Sequence, residues 1–352
     1  MSERNRNRKP GDKKTTMDDI AKSLNISKNS VSLALGGKAG VSDELRSKIF
    51  EKAEELRYGG YAAKAEPKNR CILVIVPEYL HNDNFFYSEI FWTIETEAKR
   101  HGFISVNAGI SKEMEEKEIL PVFPKSISLA GLICIGVLSE KYMAALASKG
   151  YPMLSVDIAY NSIPIACVGS ANLSGGYLAA NHLIGMGHKK IGFIGPIFTA
   201  LSVYERWCGF NLAMRHAGLA KYDGYCITGS GLSFKLFDIP EAFEASLDEM
   251  KEFPTAWFCA GDRIAVALMN LLSQRGLKIP DDISVIGFDD IPLAQMILPK
   301  LTTIRIDRKL MGRLAVKTLV QLIEDPEEGV VNLNISGKLM ERDSVRPPKQ
   351  QP

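Results

Sequence analysis

The chain has 352 residues, of which 46% are hydrophobic and 24% charged, and its formal net charge is +2. No apolar run approaches the ~18 residues that a membrane-spanning helix needs, so a membrane protein is not expected. The first 14 residues are charged and lack the apolar stretch of a secretory signal, so we expect a cytoplasmic protein. The six cysteines and five histidines form no pattern typical of a metal or redox site, so no metal and no cofactor are expected.

The charge is unevenly distributed along the chain. Residues 1–70 hold 16 Lys and Arg against 10 Asp and Glu, whereas the remainder holds 27 against 31. Because residues 1–70 are basic and the remainder is mildly acidic, we expect a polyanionic binding partner for residues 1–70. For the basic tail over residues 1–14, which we expect to be disordered, a merely solvated segment is an equal alternative.

Residues 15–58 carry the caps and the apolar spacing of three short helices. Thr16 begins the first, MDDIAKSL, and Asp19 three residues later completes a capping box. Ser27 begins the second, KNSVSLAL, and Ser42 begins the third, DELRSKIFEKAEELRY. Two helices joined by a tight turn and braced by a third predict a helix-turn-helix DNA-binding unit. A small helical bundle with a polar face is the alternative.

The second helix has polar residues at its N-terminal end, which is the end that enters the major groove in this motif. Lys28 can donate to guanine O6 and N7, and Asn29 can form two hydrogen bonds with adenine. Ser27 and Thr16 suit phosphate oxygens, because a helix N-terminus favours anions. The predicted DNA contacts are Thr16, Met17, Ser27, Lys28, Asn29, Ser30, Ser32 and Leu33.

From Cys71 onward, short apolar runs alternate with segments of helical length. The predicted strands are CILVIVP, FISVNAG, AGLICIG, PMLSV, KIGFIG, TAWFCA and DISVIGF. The predicted helices are YSEIFWTIETEAKR, ANLSGGYLAANHLIGMG, ERWCGFNLAMRHAG and RIAVALMNLLSQRG. This alternation predicts an α/β fold of parallel sheets with helices on both faces. There are too many units for one sheet, so we expect two similar lobes with a cleft between them.

Ligands of open parallel sheets bind beyond the carboxyl ends of the strands. The residues that follow the predicted strands include Phe85, Phe86, Tyr87, Asp157, Arg206, Gly261, Asp262, Asp289 and Asp290. Carboxylates and an arginine bind neighbouring hydroxyls, and aromatic faces cover the apolar face of a sugar ring, so this set predicts a sugar site. Structural roles are the alternatives for several residues: Asp262 as a helix cap, Asp289 or Asp290 as a turn cap, and Phe85, Trp207 and Trp257 as packing residues.

Longer motifs together resemble one known family. In the front they are T-M-D-D-I-A, S-x-x-S-V-S, V-S-x-x-L-R and L-R-Y; in the body they include N-F-F-Y-S-E-I, E-R-W-C-G-F, D-I-S-V-I-G-F-D-D and P-K-L-T-T-I. Over about residues 15–347 the chain resembles the lactose-repressor (LacI/GalR) family of bacterial regulators. The resemblance implies a helix-turn-helix headpiece over residues 15–58, a hinge over 59–70, and over 71–347 a two-lobed effector domain of the type I periplasmic-binding-protein fold. The implied lobes are about 71–168 with 307–335 and about 169–304 with 336–347.

The resemblance also implies roles for single residues in the effector domain. The implied effector site consists of Phe86, Tyr87, Asp157, Arg206 and Asp289. Gly261 replaces a polar residue that is common in the family, so one ligand hydrogen bond is expected to be missing. Ala200 stands where purine-responsive members have an arginine, which favours a sugar or a sugar derivative as the effector.

In the front, the resemblance places Lys28, Asn29 and Leu33 at base-reading positions. Leu33 replaces the basic residue often found there and offers a methyl contact instead. Pro67 stands where the hinge of the family carries a leucine that wedges between base pairs, so kinking of DNA by this hinge is not expected.

The predicted function is therefore that of a transcriptional regulator, not an enzyme, whose affinity for operator DNA responds to a small effector. The C-terminus carries no apolar heptads, so we expect a homodimer without a coiled-coil tetramer. One alternative is a catabolite-control-type regulator with a phosphoprotein corepressor, and another is a solute-binding protein. An enzyme on a doubly wound fold is a further alternative, although no GxGxxG, Walker A or GxSxG pattern follows a strand.

Overall fold

The computed structural model describes residues 15–36, 40–56, 58, 70–80, 85–122, 128–219, 223–229, 240–325 and 329–349. The chain divides into two compact units, Met1–Arg70 and Cys71–Pro352. The predicted tail over residues 1–14 and the predicted hinge, except Arg70, lie outside the described residues. Within these ranges, no helix is both long enough and apolar enough to cross a membrane.

The first unit contains three helices: α1 (Met17–Leu24), α2 (Lys28–Leu35) and α3 (Asp43–Glu55). The first two have the predicted bounds, and Ser42 caps the third by accepting a hydrogen bond from the Leu45 amide at 3.3 Å. The apolar residues predicted on one face of each helix meet in a common core, whose buried members are Ile20, Ala21, Val31, Ala34, Ile49 and Ala53. Because this core is small, the capping hydrogen bonds are important in fixing where each helix begins.

Local hydrogen bonds fix where α1 and α2 begin. Asp19 Oδ2 accepts hydrogen bonds from the backbone amide and the hydroxyl of Thr16, both at 2.8 Å. Ser27 Oγ accepts a hydrogen bond from the Ser30 amide at 3.0 Å. Between the two helices, Asn25 adopts the left-handed conformation, with φ +52°, which asparagine tolerates better than most residues. The predicted capping residues and the three-residue turn are thus confirmed.

The second unit alternates strands and helices, as predicted. Its strands are β1 (Arg70–Pro77), β2 (Ile104–Ile110), β3 (Ser128–Ile135), β4 (Met153–Val156), β5 (Ala166–Ser170), β6 (Ile191–Ile194), β7 (Ala256–Cys259), β8 (Ser284–Asp289), β9 (Thr302–Arg305), β10 (Asn332–Ile335) and β11 (Lys338–Met340). Its helices are α4 (Tyr87–Arg100), α5 (Lys112–Glu116), α6 (Glu140–Ala147), α7 (Asn172–Gly185), α8 (Leu201–His216), α9 (Pro240–Asp248), α10 (Asp262–Gln274), α11 (Leu293–Met296) and α12 (Arg308–Glu324). Each predicted strand and helix is present, whereas the strands β5, β9, β10 and β11 and the helices α5, α6, α9, α11 and α12 were not predicted.

The strands form two sheets, which define two lobes. The N-lobe sheet has the order β10-β5-β4-β3-β1-β2, and the C-lobe sheet has the order β11-β9-β8-β7-β6. The described pairings are parallel except that of β11 with β9. The chain passes between the sheets after β5, between β9 and β10, and between β10 and β11, and α12 packs on the N-lobe sheet and on α4. The residue bounds proposed for the lobes stay a prediction.

Close packing of two glycines joins α7 to α8 in the C-lobe. A Cβ atom added to Gly209 would lie 2.1 Å from the Leu173 carbonyl oxygen, and one added to Gly176 would lie 2.2 Å from the Arg206 carbonyl oxygen. Only glycine permits so short a distance between the two backbones. Elsewhere in this lobe, Trp257 on β7 is fully buried, as predicted for a packing residue.

Candidate functional site

The loops at the carboxyl ends of the strands bring polar side chains from both lobes together. Tyr87, at the start of α4, donates its phenol hydrogen to Asp157 Oδ2 at 2.7 Å, and Asp157 directly follows β4. Burial raises the pKa of the Tyr87 phenol well above its ordinary value, and the Asp157 and Asp289 carboxylates raise it further. Tyr87 and Asp157 thus form the N-lobe side of a cleft, and Asp289 belongs to the C-lobe side.

Two buried oxygens at the N-lobe side of the cleft lack hydrogen-bond partners among the described residues. They are Asp157 Oδ1 and Ser170 Oγ, which belong to the ends of the neighbouring strands β4 and β5. A buried polar atom without a partner is unfavourable by about 1–3 kcal/mol. A ligand that donates hydrogen bonds to these oxygens would recover that free energy, so this wall of the cleft suits a hydroxyl-rich molecule.

Arg206 is the central cation of the C-lobe wall, and four contacts hold its guanidinium group. Nε donates to Asn172 Oδ1 at 2.9 Å, and Nη1 donates to the Ala260 carbonyl oxygen at 2.5 Å. Nη2 lies 3.3 Å from Asp289 Oδ1, and the guanidinium carbon lies 3.8 Å above the centre of the Phe288 ring. With only 6% of its surface exposed, Arg206 is a rigid donor at the base of the cleft.

The two consecutive aspartates at the end of β8, Asp289 and Asp290, have different environments. Asp289 faces Arg206, whereas both oxygens of the buried Asp290 are bound by arginines, Oδ2 by Arg305 at 2.5 Å and Oδ1 by Arg342 at 2.6 Å. Both residues have positive φ values, +102° for Asp289 and +50° for Asp290. Asp290 is therefore a structural residue that anchors the loop, and Asp289 is the one whose carboxylate lies in the cleft.

The prediction that Asp262 caps a helix is wrong. The cap position of α10 is Gly261, and the helix begins at Asp262. The Asp262 carboxylate is buried and accepts hydrogen bonds from the Thr303 hydroxyl at 2.6 Å and the Ile291 amide at 2.8 Å. Burial raises the pKa of this carboxyl well above its ordinary value. Asp262 thus joins β9 and the loop after β8 to α10 from inside the lobe.

Of the two aromatic residues predicted at the rim of the cleft, Tyr87 contacts Asp157, whereas Phe86 packs in the core. Phe86 is 8% exposed and belongs to the hydrophobic core, so its contact with an effector stays a prediction. Phe85 and Trp207 are half-buried and pack against the same core, in agreement with the structural alternative. A Cβ atom added to Gly261 would lie 3.5 Å from Asp289 Oδ2, so the cleft is open beside that carboxylate.

Sequence reasoning missed Ser170 and Asn172. Ser170 belongs to β5, whose sequence ACVGS is too short and too polar to be recognised as a strand. Asn172 is the first residue of α7 and is 3% exposed. Two cavities, of about 410 and 370 Å³, lie elsewhere on the N-lobe surface, beside Trp92 and Tyr151 respectively. The polar contacts define the site instead.

The predicted DNA contacts lie on the surface of the first unit. The exposed ones are Thr16, Ser27, Lys28, Asn29 and Ser32, and the half-buried ones are Met17, Ser30 and Leu33. At the opposite end of α2, Arg46 donates to the Ala34 carbonyl oxygen at 2.8 Å, which ties α3 to the helix that carries most of these residues. The unit therefore presents the polar end of α2 on a braced helix.

Comparisons with known proteins agree with this architecture. Residues 180–345 match the family model of a periplasmic binding protein-like domain. The ribose operon repressor of Haemophilus influenzae is 29% identical over 336 residues, which cover 94% of this chain and 98% of that protein. The HTH-type transcriptional repressor PurR of Vibrio campbellii is 28% identical over 335 residues, with the same coverage of each chain. The crystal structure of a LacI family transcriptional regulator from Enterococcus faecium with bound ribose has a TM-score of 0.64 and 25% identity, and covers 79% of this chain and 99% of that chain.

A helix-turn-helix unit joined to a two-lobed, periplasmic-binding-type body defines a class of DNA-binding transcription regulators. The similarity to repressors extends over both units, since the matched regions cover 94% of this chain. Over both units the chain is similar to transcriptional repressors, and over 79% of its length it is similar to a LacI family transcriptional regulator of known structure.

Proposed function

We propose that this chain is a homodimeric transcriptional repressor whose affinity for operator DNA is controlled by a neutral sugar or sugar derivative bound between Asp157 and Asp289. The observation that carries the proposal is the carboxylate on each wall of the cleft, Asp157 bound by Tyr87 and Asp289 facing Arg206. Arg206 pairs with Asp289, and Asp157 is bound by the neutral Tyr87 phenol, so these four side chains together carry an excess of negative charge. Such a site favours neutral polyhydroxylated ligands and repels anionic ones such as sugar phosphates.

The coupling to DNA requires only that the effector bind two arrangements of the lobes with different affinity. Such coupling free energies are typically about 1–3 kcal/mol, and they act reciprocally on effector and operator. The related repressor of the ribose operon and the ribose-bound structure support a monosaccharide as the first effector to test. The absence of an arginine at Ala200, which is buried at the start of α8, supports a sugar over a purine.

Exposed apolar side chains support the proposed dimer. Met296, the last residue of α11, and Leu298, two residues later, are 77% and 87% exposed, which is unusual for large apolar residues so close together and typical of a protein–protein contact. We propose that this segment contributes to the contact with a second copy. Light scattering should give twice the monomer mass for the purified chain, and a smaller mass for Leu298→Asp.

The test is operator binding at fixed salt with and without a panel of sugars, using duplex DNA selected by the protein from a random library. A sugar that changes the affinity for the selected duplex identifies the effector. Arg206→Ala and Asp289→Ala should abolish the response to that sugar and retain DNA binding. A response that persists in both variants would contradict the proposed site.

A further inference from the structure

An ion pair joins the beginning of α1 to the beginning of α2. Lys28 Nζ donates to Asp18 Oδ2 at 3.0 Å. The two side chains remain 62% and 53% exposed, so the pair lies on the surface of the headpiece and not in its core. Asp18 is not needed to begin α1, because Asp19 supplies the carboxylate that binds the Thr16 amide.

The stability of the headpiece does not explain why Asp18 and Lys28 form this ion pair. An exposed ion pair of lysine with a carboxylate contributes little to stability. In a unit that binds DNA, a surface carboxylate is repelled by the phosphates. Asp18 therefore opposes general DNA binding at the end of α2 that carries Lys28 and Asn29, unless its oxygens accept hydrogen bonds from the DNA itself.

We infer that Asp18 and Lys28 act together to read one guanine·cytosine base pair in each operator half-site, an inference that rests on the proposed DNA-binding function. In the major groove, guanine presents O6 and N7 as acceptors, and the cytosine amino group N4 is a donor beside them. The hydrogen bond that joins O6 to N4 within the base pair is about 2.9 Å long. Lys28 Nζ and Asp18 Oδ2 are separated by 3.0 Å, so the ion pair matches this edge in spacing and polarity. Lys28 donates to guanine, and Asp18 accepts the N4 hydrogen that base pairing leaves free.

Other base pairs match this arrangement less well. An adenine·thymine pair also places a donor beside an acceptor, but thymine has a methyl group next to O4 where guanine has the second acceptor, N7. Where Asp18 faces O4 or O6, two acceptors meet and repel. Asp18 thus contributes to specificity partly by penalising the wrong base pairs, and it lowers the affinity of Lys28 for phosphates.

The experiment is a selection of binding sites from random duplex DNA with the full-length protein and three variants, Asp18→Asn, Lys28→Met and Glu44→Gln. Glu44 is the matched control, because it also forms a surface ion pair, with Lys48 on α3 at 2.8 Å, in which the side chains are 81% and 59% exposed. The wild type should enrich one guanine·cytosine pair per half-site. Asp18→Asn and Lys28→Met should both lose the preference at that same position, and Glu44→Gln should retain it.

Anisotropy titrations of the selected duplex then measure the size of the effect. Changing the guanine·cytosine pair to adenine·thymine should weaken wild-type binding roughly tenfold or more, the discrimination typical of a bidentate base contact. The same change should have a much smaller effect on Asp18→Asn, whose affinity for unrelated DNA should exceed that of the wild type. Asp18→Ser is a second variant for the same comparison, and thermal unfolding verifies that each headpiece is folded.

Two results would overturn the inference. If Asp18→Asn and Asp18→Ser keep the base preference of the wild type and only bind all DNA more tightly, Asp18 is a surface charge without a reading role. If the wild type enriches no sequence at all, the proposed DNA-binding function fails and the inference fails with it. The two failures are distinguishable because the second is already visible in the wild type.

Discussion

Arg308 Nη1 donates to the carbonyl oxygen of Asp289 at 2.8 Å, which joins the first residue of α12 in the N-lobe to the last residue of β8 in the C-lobe. The same nitrogen lies 3.2 Å from the Asp290 carbonyl oxygen, and Nε donates to Glu89 Oε2 on α4 at 2.8 Å. The positive φ values of Asp289 and Asp290 are unfavourable by about 1–3 kcal/mol each for residues with side chains. Arg308 therefore stabilises the backbone conformation that aims Asp289 at Arg206.

Replacement of Arg308 by methionine should weaken effector binding without a comparable loss of operator binding. Loss of these hydrogen bonds is expected to raise the effector Kd roughly tenfold, equivalent to about 1.4 kcal/mol, as measured by titration calorimetry. Arg305→Met is the matched control, because its partner Asp290 remains bound to Arg342, and its effect should be smaller. Equal effector Kd values for the two variants would show that Arg308 does not position Asp289.

Asp157→Asn should weaken effector binding because it replaces a charged acceptor in the cleft by an amide. Asp157 Oδ1 is buried without a described partner, and a hydrogen bond to a charged group is worth about 1.5–3 kcal/mol, or roughly 10–100-fold in affinity. Tyr87→Phe provides the comparison, since it removes only the donor to Oδ2 and keeps the carboxylate. An effector affinity of Asp157→Asn equal to that of the wild type would remove Asp157 from the proposed site.

The headpiece could be predicted almost to the residue because its signals are local. Thr16 and Ser27 mark helix starts within three residues of their hydrogen-bond partners. By contrast, β9 has the sequence TTIR and was missed, although Thr302 and Thr303 are fully buried in it. The Thr303 hydroxyl is buried because it binds Asp262, 41 residues away. A polar residue whose partner is that distant in sequence gives no sign of burial in its own neighbourhood.

The candidate site, too, depends on contacts between residues that are distant in sequence. The position of a residue after a strand was enough to predict Asp157 and Asp289, because parallel strands place their carboxyl ends at one edge of a sheet. The partners of Arg206 could not be predicted, since Asn172 and Ala260 lie 34 and 54 residues away. These contacts exist only once α7, α8 and the segment after β7 have come together in the C-lobe.

Gly209→Ala should destabilise the protein and weaken effector binding together. The added Cβ atom would lie 2.1 Å from the Leu173 carbonyl oxygen, so α7 and α8 must separate, at a cost of about 1–3 kcal/mol as for an overpacked core. Because Arg206 lies on α8 one turn before Gly209, the separation should also misplace its guanidinium group. Thermal unfolding and calorimetric titration measure the two effects.

Gly185→Ala is the matched control for this substitution. Gly185 is the last residue of α7, and a Cβ atom there meets nothing within 4 Å. Alanine should therefore stabilise this helix by up to about 1 kcal/mol through its higher helix propensity and leave effector binding unchanged. Unfolding temperatures of Gly209→Ala and Gly185→Ala that do not differ would contradict the close packing of α7 against α8.

His188 fastens the C-terminal segment to the C-lobe and makes stability depend on pH. Its ring is 2% exposed, with Nε2 2.8 Å from the Arg346 carbonyl oxygen and Nδ1 2.9 Å from the Thr255 hydroxyl. Since a carbonyl oxygen only accepts, Nε2 is the nitrogen that donates, and in the neutral ring Nδ1 shares the Thr255 hydroxyl hydrogen with the Lys190 carbonyl oxygen, which lies 3.0 Å from that hydroxyl. Burial lowers the pKa of His188 below its ordinary value.

As the pH falls below about 6.5, the unfolded chain takes up a proton at this histidine, whereas the folded chain does so only at lower pH. The free energy of unfolding should therefore decrease as the pH falls, with a slope from this one site of at most about 1.4 kcal/mol per pH unit. His188→Gln can still donate to Arg346, but it does not titrate, so its urea midpoint should change less than that of the wild type between pH 7.5 and 5.5, a window set by the histidine pKa. Identical pH dependence in the two proteins would mean that His188 titrates alike in the folded and unfolded chains, and that another group governs stability in acid.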